Sequence, residues 1–303
     1  MRALVTGGGG FCGKHLVRYL AQQGVEVHTI GTTPASSHHY ALTDPSDLAM
    51  LTAAITAAQP DCVLHLAGVS SSPLPSQFYL VNTVYGATLL HALEVAGYGD
   101  RPVLLVGTAA EYGRITPEQL PIAETCPCNP YNHYGISKLA QTQMGLTLAQ
   151  QGRPIVIARP ANIIGAGMPP NLALASFARQ IRAIAQGEQP PVIDVGNLSS
   201  IRDFVDVADV VQIYWQLIQH APAYGQVVNV CSGRGIAMSD LLTRLIVLSG
   251  LEIEIRVNAQ RYKPVDIPVH YGSTERLQQL VGHVPSLNLD RVLRSLLTLP
   301  ANG

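Results

Sequence analysis

Short, almost uninterrupted apolar runs rich in β-branched residues recur through the first half of the chain, at residues 3–5, 25–30, 62–66, 103–106 and 155–158, most of them followed by Gly, Ser or Thr. Strands that alternate apolar with polar positions keep one face in water. Runs without that alternation are covered on both faces, as in a parallel sheet flanked by helices. The intervening segments change to helical spacing. Residues 14–23 set Leu16, Val17, Leu20 and Ala21 on one face and end at Gly24, and Ser46 stands where it would cap a helix carrying Leu48, Leu51 and Ile55. Strand and helix in regular alternation, joined by right-handed crossovers, predict a doubly wound parallel α/β sheet.

Beyond Pro160 the rhythm loosens. Gly165, Gly167, Pro169 and Pro170 precede a helical stretch at 172–186 and an apolar run at 192–195, after which a helix at 207–219 and a strand at 227–231 return to the main sheet. Past residue 231 the pattern predicts short strands and two helices, around 273–281 and 289–297. Two interleaved units are therefore expected. A dinucleotide-binding domain takes residues 1–165 plus 207–231, and a smaller C-terminal α/β lobe takes 166–206 plus 232–303.

Composition narrows the class. Of 303 residues, 47% are hydrophobic and 13% charged, which provides for a large core. Nineteen basic against twenty acidic residues leave a net charge of -1, without the excess that a nucleic-acid backbone requires. Arg159 and Arg244 interrupt the longest apolar runs, so no membrane span is expected. The five cysteines, Cys12, Cys62, Cys126, Cys128 and Cys231, are scattered and lack the spacing of a zinc or disulfide framework, so neither is expected and no metal site is predicted. The first residues, MRALVTGGGG, do not read as a signal peptide, and a cytoplasmic location is expected.

The first strand runs into Thr6-Gly7-Gly8-Gly9-Gly10-Phe11-Cys12-Gly13 and then a helix. Glycines there let the backbone approach a pyrophosphate, and the N–H groups opening the helix favour negative charge. The end of the second strand reads Ile30-Gly31-Thr32-Thr33, without the carboxylate that would accept from an adenosine ribose and repel a 2′-phosphate. NADP is therefore expected to be tolerated, with Thr32, Thr33, Ser36 and Ser37 as donors. A solvated loop is the competing reading of each residue taken singly. Asp44, followed by Asp47, either contacts the adenine or favours the next helix N-terminus.

Tyr134-Gly135-Ile136-Ser137-Lys138 opens a long helix running to about residue 151, and four-residue spacing puts Tyr134 and Lys138 on one face. A neighbouring ammonium would draw the phenol's pKa down toward neutrality and let it exchange a proton with a substrate oxygen. Thr108 follows the strand at 103–106, at the carboxyl edge where open α/β sheets bind ligands.

Together with His65-Leu66-Ala67-Gly68, Asn82-Thr83-Val84-Tyr85-Gly86, Tyr112-Gly113 and Arg159-Pro160-x-Asn162, these motifs resemble the extended short-chain dehydrogenase/reductase (NAD-dependent epimerase/dehydratase) family across nearly the whole chain. Within it, Val195-Gly196-Asn197-Leu198, the stretch from Arg202 to Val207 and Asn229-Val230-Cys231-Ser232-Gly233 are most similar to GDP-4-keto-6-deoxy-D-mannose reductases. The resemblance implies a Rossmann domain holding NADP(H) by preference, with NAD(H) also accepted, and a smaller substrate lobe for a nucleotide-diphosphate sugar. It implies catalysis by Thr108, Tyr134 and Lys138. Cofactor contacts are implied at Gly7, Gly10, Phe11, Cys12, Gly13, Thr32, Asp44, Leu66, Ala67, Gly68, Tyr134 and Lys138. Asn162, Arg202 and Lys263 would receive the substrate, Arg261 standing as a substitute for Lys263, and for Arg202 the competing reading is a structural bridge to Asp203 or Asp206.

Related 4,6-dehydratases carry an acid where this chain has Ala110, so water elimination is disfavoured, and Glu111 is expected to point elsewhere if strand-like alternation continues. Rival readings are a nucleotide-sugar 4-epimerase and a non-catalytic cofactor sensor. Family members of this kind dimerise through the helices at 82–96 and 134–151, which makes Leu89, Leu93, Leu139 and Leu146 candidates for core, interface or both, in an expected homodimer.

Overall fold

The computed structural model describes residues 1–258, 260 and 267–298. Seven strands form one sheet: β1 (Arg2–Thr6), β2 (Glu26–Gly31), β3 (His38–Ala41), β4 (Cys62–His65), β5 (Val103–Val106), β6 (Ile155–Pro160) and β10 (Val227–Val230). Their order is β10-β6-β5-β4-β1-β2-β3, and every pairing is parallel. From β1 the chain builds outward in one direction through β2 and β3, then returns to build the other way from β4. The switch point lies between β1 and β4, where sheets of this kind open a crevice for ligands.

The doubly covered sheet predicted from the unalternated runs is present. Ala3 and Val5 face one layer, where they meet α1 (Phe11–Gln22) and α7 (Val207–Gln219); Leu4 faces the other, with α2 (Leu48–Ala58) and α4 (Tyr85–Val95). Asp47, rather than Ser46, caps α2, its carboxylate accepting from Met50 N at 2.9 Å. Ser46 instead donates backbone and side chain to Asp44, one step earlier in the turn. The Ser- and His-rich stretch read as a loop continues into β3, which pairs with β2 from His28 onward. Its HHYA sequence is too polar and short for the apolar-run criterion, and only the neighbouring strand makes it a strand.

Before α4 the chain passes through α3 (Pro75–Tyr79) and then one π turn, Leu80–Val84, closed by Tyr85 N bonding to Leu80 O. The long helix α5 (His133–Gln150) lies beside it, capped by Asn132 accepting from Gly135 N at 2.8 Å.

A second core, around Leu174, Phe177, Ile181, Ile193 and Phe204, belongs to the rest of the chain. Here β7 (Asn162–Ile164), β9 (Ile201–Asp206), β11 (Gly235–Ala237) and β13 (Val269–His270) form a small sheet, and β8 (Val192–Val195) pairs with β12 (Glu254–Val257). Three helices pack against it: α6 (Ala173–Ala185), α8 (Met238–Ser249) and α10 (Leu289–Leu297). Counting α9 (Glu275–Val281), three helices follow residue 231 where two were expected. The missed one is α8. Its buried stripe, Met238, Leu241, Leu242 and Leu245, has helical spacing and ends at left-handed Gly250, while Arg244 faces out and pairs with Asp290 of α10. Leu277 of α9 is buried against the large sheet's core. No described helix is long and apolar enough to cross a membrane.

Candidate active site

The glycine loop closes on itself as the close-approach argument requires. Gly7 is left-handed (φ +70°), and a Cβ there would stand 2.7 Å from Ala67 N, on the loop after β4; one on Gly13 would fall 2.0 Å from Gly7 O. Gly10 occupies the N-cap of α1 and supplies no side-chain acceptor, so the first N–H groups of the helix are left for a ligand. A loop shaped by backbone contact, opening on an uncapped helix at the switch point, fits the pyrophosphate of a dinucleotide. Phe11 and Cys12 form the first turn. Phe11 packs against both cores, and burial pushes the Cys12 thiol up to about 12.

Thr6 links β1 to β4: its hydroxyl meets His65 Nδ1 at 2.7 Å and accepts from Ala67 N at 3.2 Å. His65 is fully buried, edge-on to the Tyr85 ring, and its pKa falls to about 3 through burial and the nearby Lys138 ammonium. It is neutral at ordinary pH. Leu66, Ala67 and Gly68 then run past α5 so closely that a Cβ on Gly68 would lie 3.0 Å from Lys138 Nζ and 3.1 Å from Asn82 Oδ1.

Thr108, Tyr134 and Lys138 converge here. Thr108 ends the strand segment and caps a short 3-10 turn (Ala109–Glu111), accepting from Ala110 N at 3.2 Å. Lys138 is buried, with Nζ donating to Val106 O at 2.9 Å and Gln141 Oε1 at 3.2 Å. Burial lowers its pKa to about 8, against an opposing pull from Glu111. The expected lowering of the phenol does not hold. Tyr134 is raised above its ordinary value, chiefly by burial, with Glu111 and Cys12 adding to the effect and the Thr108 hydrogen bond opposing it. Helical spacing put Tyr134 and Lys138 on one face, but the ammonium is engaged by a backbone carbonyl, and loss of water dominates at the phenol.

Two residues named in the sequence owe their part in this arrangement to partners the sequence reading did not foresee. Asn82, in the π turn, accepts from Val69 N at 2.8 Å and donates to Val69 O at 3.0 Å and Ser137 Oγ at 2.9 Å, tying the loop after β4 to α5. Ser137 in turn donates to Tyr134 O. The strand-like alternation on which the expectation for Glu111 rested does not continue, because a 3-10 turn follows Thr108. Glu111 Oε1 accepts from Thr108 N at 2.8 Å and its Oε2 from Arg159 Nε at 2.7 Å, with the Arg159 guanidinium 4.8 Å over the Tyr112 ring. Both members of the pair are buried. Only their sequence separation, 48 positions, hid them.

In the small lobe, Asn162 is exposed and donates to Asp203 O at 2.9 Å. Arg202 is half-buried, with Nη1 donating to Ile201 O at 2.9 Å and Pro268 O at 3.4 Å. The carboxylates named as its structural partners are engaged by other groups: Asp203 accepts from Ser232 Oγ and from the Ser232 and Gly233 amides, and Asp206 pairs with Arg291 at 2.6 Å. Thr32 and Asp44 are exposed at the β2–β3 side. Ser36 donates to His38 O and contacts Thr29 Oγ1. Lys263 and its substitute Arg261 lie outside the described residues.

A parallel sheet of this order with a glycine loop at its switch point is that of a dinucleotide-binding α/β enzyme. The chain belongs to the NAD dependent epimerase/dehydratase family, whose sequence pattern it matches over residues 3–231, in keeping with the extended short-chain dehydrogenase/reductase motifs. It is 34% identical to a GDP-6-deoxy-D-mannose reductase of Pseudomonas aeruginosa over 98% of this chain and 96% of that one. It is 30% identical to a GDP-6-deoxy-D-talose 4-dehydrogenase of Aggregatibacter actinomycetemcomitans, over 93% and 92% of the two chains. Its fold superposes on the structure of RMD from Pseudomonas aeruginosa complexed with NADPH with a TM-score of 0.88 at 32% identity, covering 98% of this chain and 97% of that one.

Proposed function

We propose that the chain is an NADPH-dependent reductase of a nucleotide-linked 4-keto-6-deoxyhexose, converting GDP-4-keto-6-deoxy-D-mannose to GDP-D-rhamnose, with NAD(H) as a weaker cofactor. The observation that carries this reading is that Thr108, Tyr134 and Lys138 meet at the sheet edge while the one carboxylate of that segment, Glu111, is held by Arg159. Proton exchange at a single oxygen is provided for; the extra acid that water elimination requires is not. Similarity to the Pseudomonas reductase supports the substrate class.

NADPH would be held by Gly7, Gly10, Phe11, Cys12 and Gly13 at its pyrophosphate, by Thr32 and Asp44 at the adenosine end, by Leu66, Ala67 and Gly68 along its length, and by Tyr134 and Lys138 near its reactive end. It supplies the hydride. Tyr134, held protonated by its surroundings, gives its proton to the keto oxygen as that oxygen becomes an alkoxide. Thr108 donates to the same oxygen and fixes its position, and Glu111 fixes Thr108 through its backbone N–H. Lys138, its ammonium held by Val106 O, would add a positive charge near the cofactor's reactive end. Asn162, Arg202 and Lys263 receive the sugar diphosphate, guanidinium suiting phosphate oxygens, the latter two in a lobe at 166–206 plus 232–303 and Asn162 just ahead of it.

We further propose a cytoplasmic homodimer through α4 and α5. Leu89 and Leu93 are fully buried within one chain, so the contact would use exposed Val84 and Ile136 with half-buried Leu139.

The test is incubation with NADPH, NADH and a panel of 4-keto-6-deoxy nucleotide sugars, following reduced-nicotinamide absorbance. Stoichiometric loss with the GDP sugar is the expected result. Sugar interconversion without net consumption would identify a 4-epimerase instead, and binding of NADPH without turnover of any sugar a cofactor sensor.

A further inference from the structure

At the open end of the large sheet, toward the amino ends of the strands, three metal-ligating side chains share one face. Glu26 begins β2, and His28, two positions on, points to the same side. The parallel register of β3 sets His38 directly opposite His28. Ligand atoms of all three lie within 4.8 Å of one another. His28 Nε2 is 2.8 Å from Glu26 Oε1, and the two imidazoles stack with centroids 4.6 Å apart. His28 is buried, 5% exposed, and its other nitrogen meets the Tyr40 hydroxyl at 3.2 Å.

We propose that Glu26, His28 and His38 bind one divalent transition-metal ion of the zinc type, at a site separate from the glycine loop and Tyr134. Two imidazole nitrogens and a carboxylate oxygen are a donor set suited to zinc, with water completing four-coordination. Bonds of 2.0–2.1 Å place ligand atoms about 3.3 Å apart around a tetrahedral ion, so Glu26 Oε1 and His28 Nε2, now 2.8 Å apart, would open slightly to admit the ion, with His38 within 4.8 Å of both. Glu26 and His38 stand at the surface and have room to turn inward, while buried His28 is the fixed member. Glu26 binds through Oε1, leaving Oε2 to Arg2 Nε, now 3.5 Å away.

Tyr40 decides whether His28 can serve. Without metal, a proton on Nε2 bonds to Glu26, and Nδ1 accepts from the Tyr40 hydroxyl. With metal on Nε2, the proton sits on Nδ1 and donates to the same phenolic oxygen, the outer-partner arrangement that fixes a ligating histidine. Because β3 is the last strand and pairs on one side only, an ion joining His38 to Glu26 and His28 would fasten the edge of the sheet.

The full chain, stripped with chelator and titrated with zinc chloride by calorimetry, is expected to take up one ion per chain with micromolar or tighter affinity and to melt at higher temperature with zinc than with chelator. His38→Ala and Glu26→Gln, both at exposed positions, should melt like the wild type in chelator, lose the zinc-dependent rise and bind at least tenfold more weakly. Tyr40→Phe, which keeps every ligand, should bind about tenfold more weakly. Absence of zinc uptake by the wild type would overturn the proposal. So would affinity unchanged in both His38→Ala and Glu26→Gln, because zinc would then be held by other histidines or thiols.

Discussion

Along the carboxyl edge of the large sheet the charged groups are buried; around the small sheet the two groups expected to receive substrate, Arg202 and Asn162, are half-buried and exposed. Lys138, Glu111 and Arg159 are nearly inaccessible, and each is held by hydrogen bonds within the fold. Arg202, half-buried, donates to the Ile201 and Pro268 carbonyls, and Asn162, exposed, to that of Asp203. A group that must meet a developing charge has to be in place beforehand, since reorganisation at that moment is costly. A group that receives a phosphate already charged can close on it from solution. The two regions therefore differ in what a single substitution should disturb, chemistry and stability at the edge and substrate affinity in the lobe.

The largest effect should come from Tyr134→Phe. With the proton donor gone and the packing retained, turnover is expected to drop roughly a hundred- to ten-thousand-fold while cofactor affinity, measured by fluorescence titration, hardly changes. Unaltered turnover would remove Tyr134 from the mechanism. Glu111→Gln leaves the Arg159 guanidinium buried without its counter-charge, and breaking such a pair typically costs about 3–5 kcal/mol, to be read as a lowered denaturant midpoint.

In the lobe, Arg202→Ala should weaken nucleotide-sugar binding about ten- to a hundredfold, the worth of one charge-assisted contact, with thermal stability preserved. A loss of stability at unchanged affinity would make Arg202 a structural residue and break the contrast between the two regions. Smaller is Gly31→Asp: a Cβ at Gly31 meets nothing within 4 Å, so the carboxylate should be accommodated and shift preference from NADPH toward NADH, measured as a reversed kcat/KM ratio. Prior preference of the unmodified enzyme for NADH would contradict this reading of the β2–β3 segment.

Smallest near neutrality is the effect of pH. The Tyr134 phenol is raised and stays protonated, whereas Lys138, lowered to about 8, loses its charge as pH rises. Reduction should therefore decline above about pH 8, not below it. Because Glu111 holds the Lys138 pKa up, Glu111→Gln should move that limb to lower pH.

What the sequence disclosed were features set by neighbours along the chain. The glycine loop needs only a strand, a turn and a helix in succession, and Tyr134 and Lys138 need only one helical turn. The strand runs were legible because burial on both faces removes polar alternation. What stayed hidden depends on pairing across the fold. Glu111 acquires its meaning from Arg159, Asn82 from Val69 and Ser137, and His38 from the register that sets it against His28. The sign of the phenol's shift was missed for a related reason. Spacing fixes which face a side chain shares, but the carbonyl of Val106 decides where the ammonium is held.

The π turn at Leu80–Val84 carries a constraint on length. A π turn takes about one residue more than an α turn to come round to the same face, so the extra residue is absorbed locally and Leu89, Leu90 and Leu93 stay turned to the sheet. Deleting one residue there would leave that buried stripe in phase but draw Asn82 out of register with Val69 and Ser137. An irregularity that looks expendable thus lets one segment serve both the Asn82 clamp and the core stripe, and it should tolerate exchange of side chains far better than any change in their number.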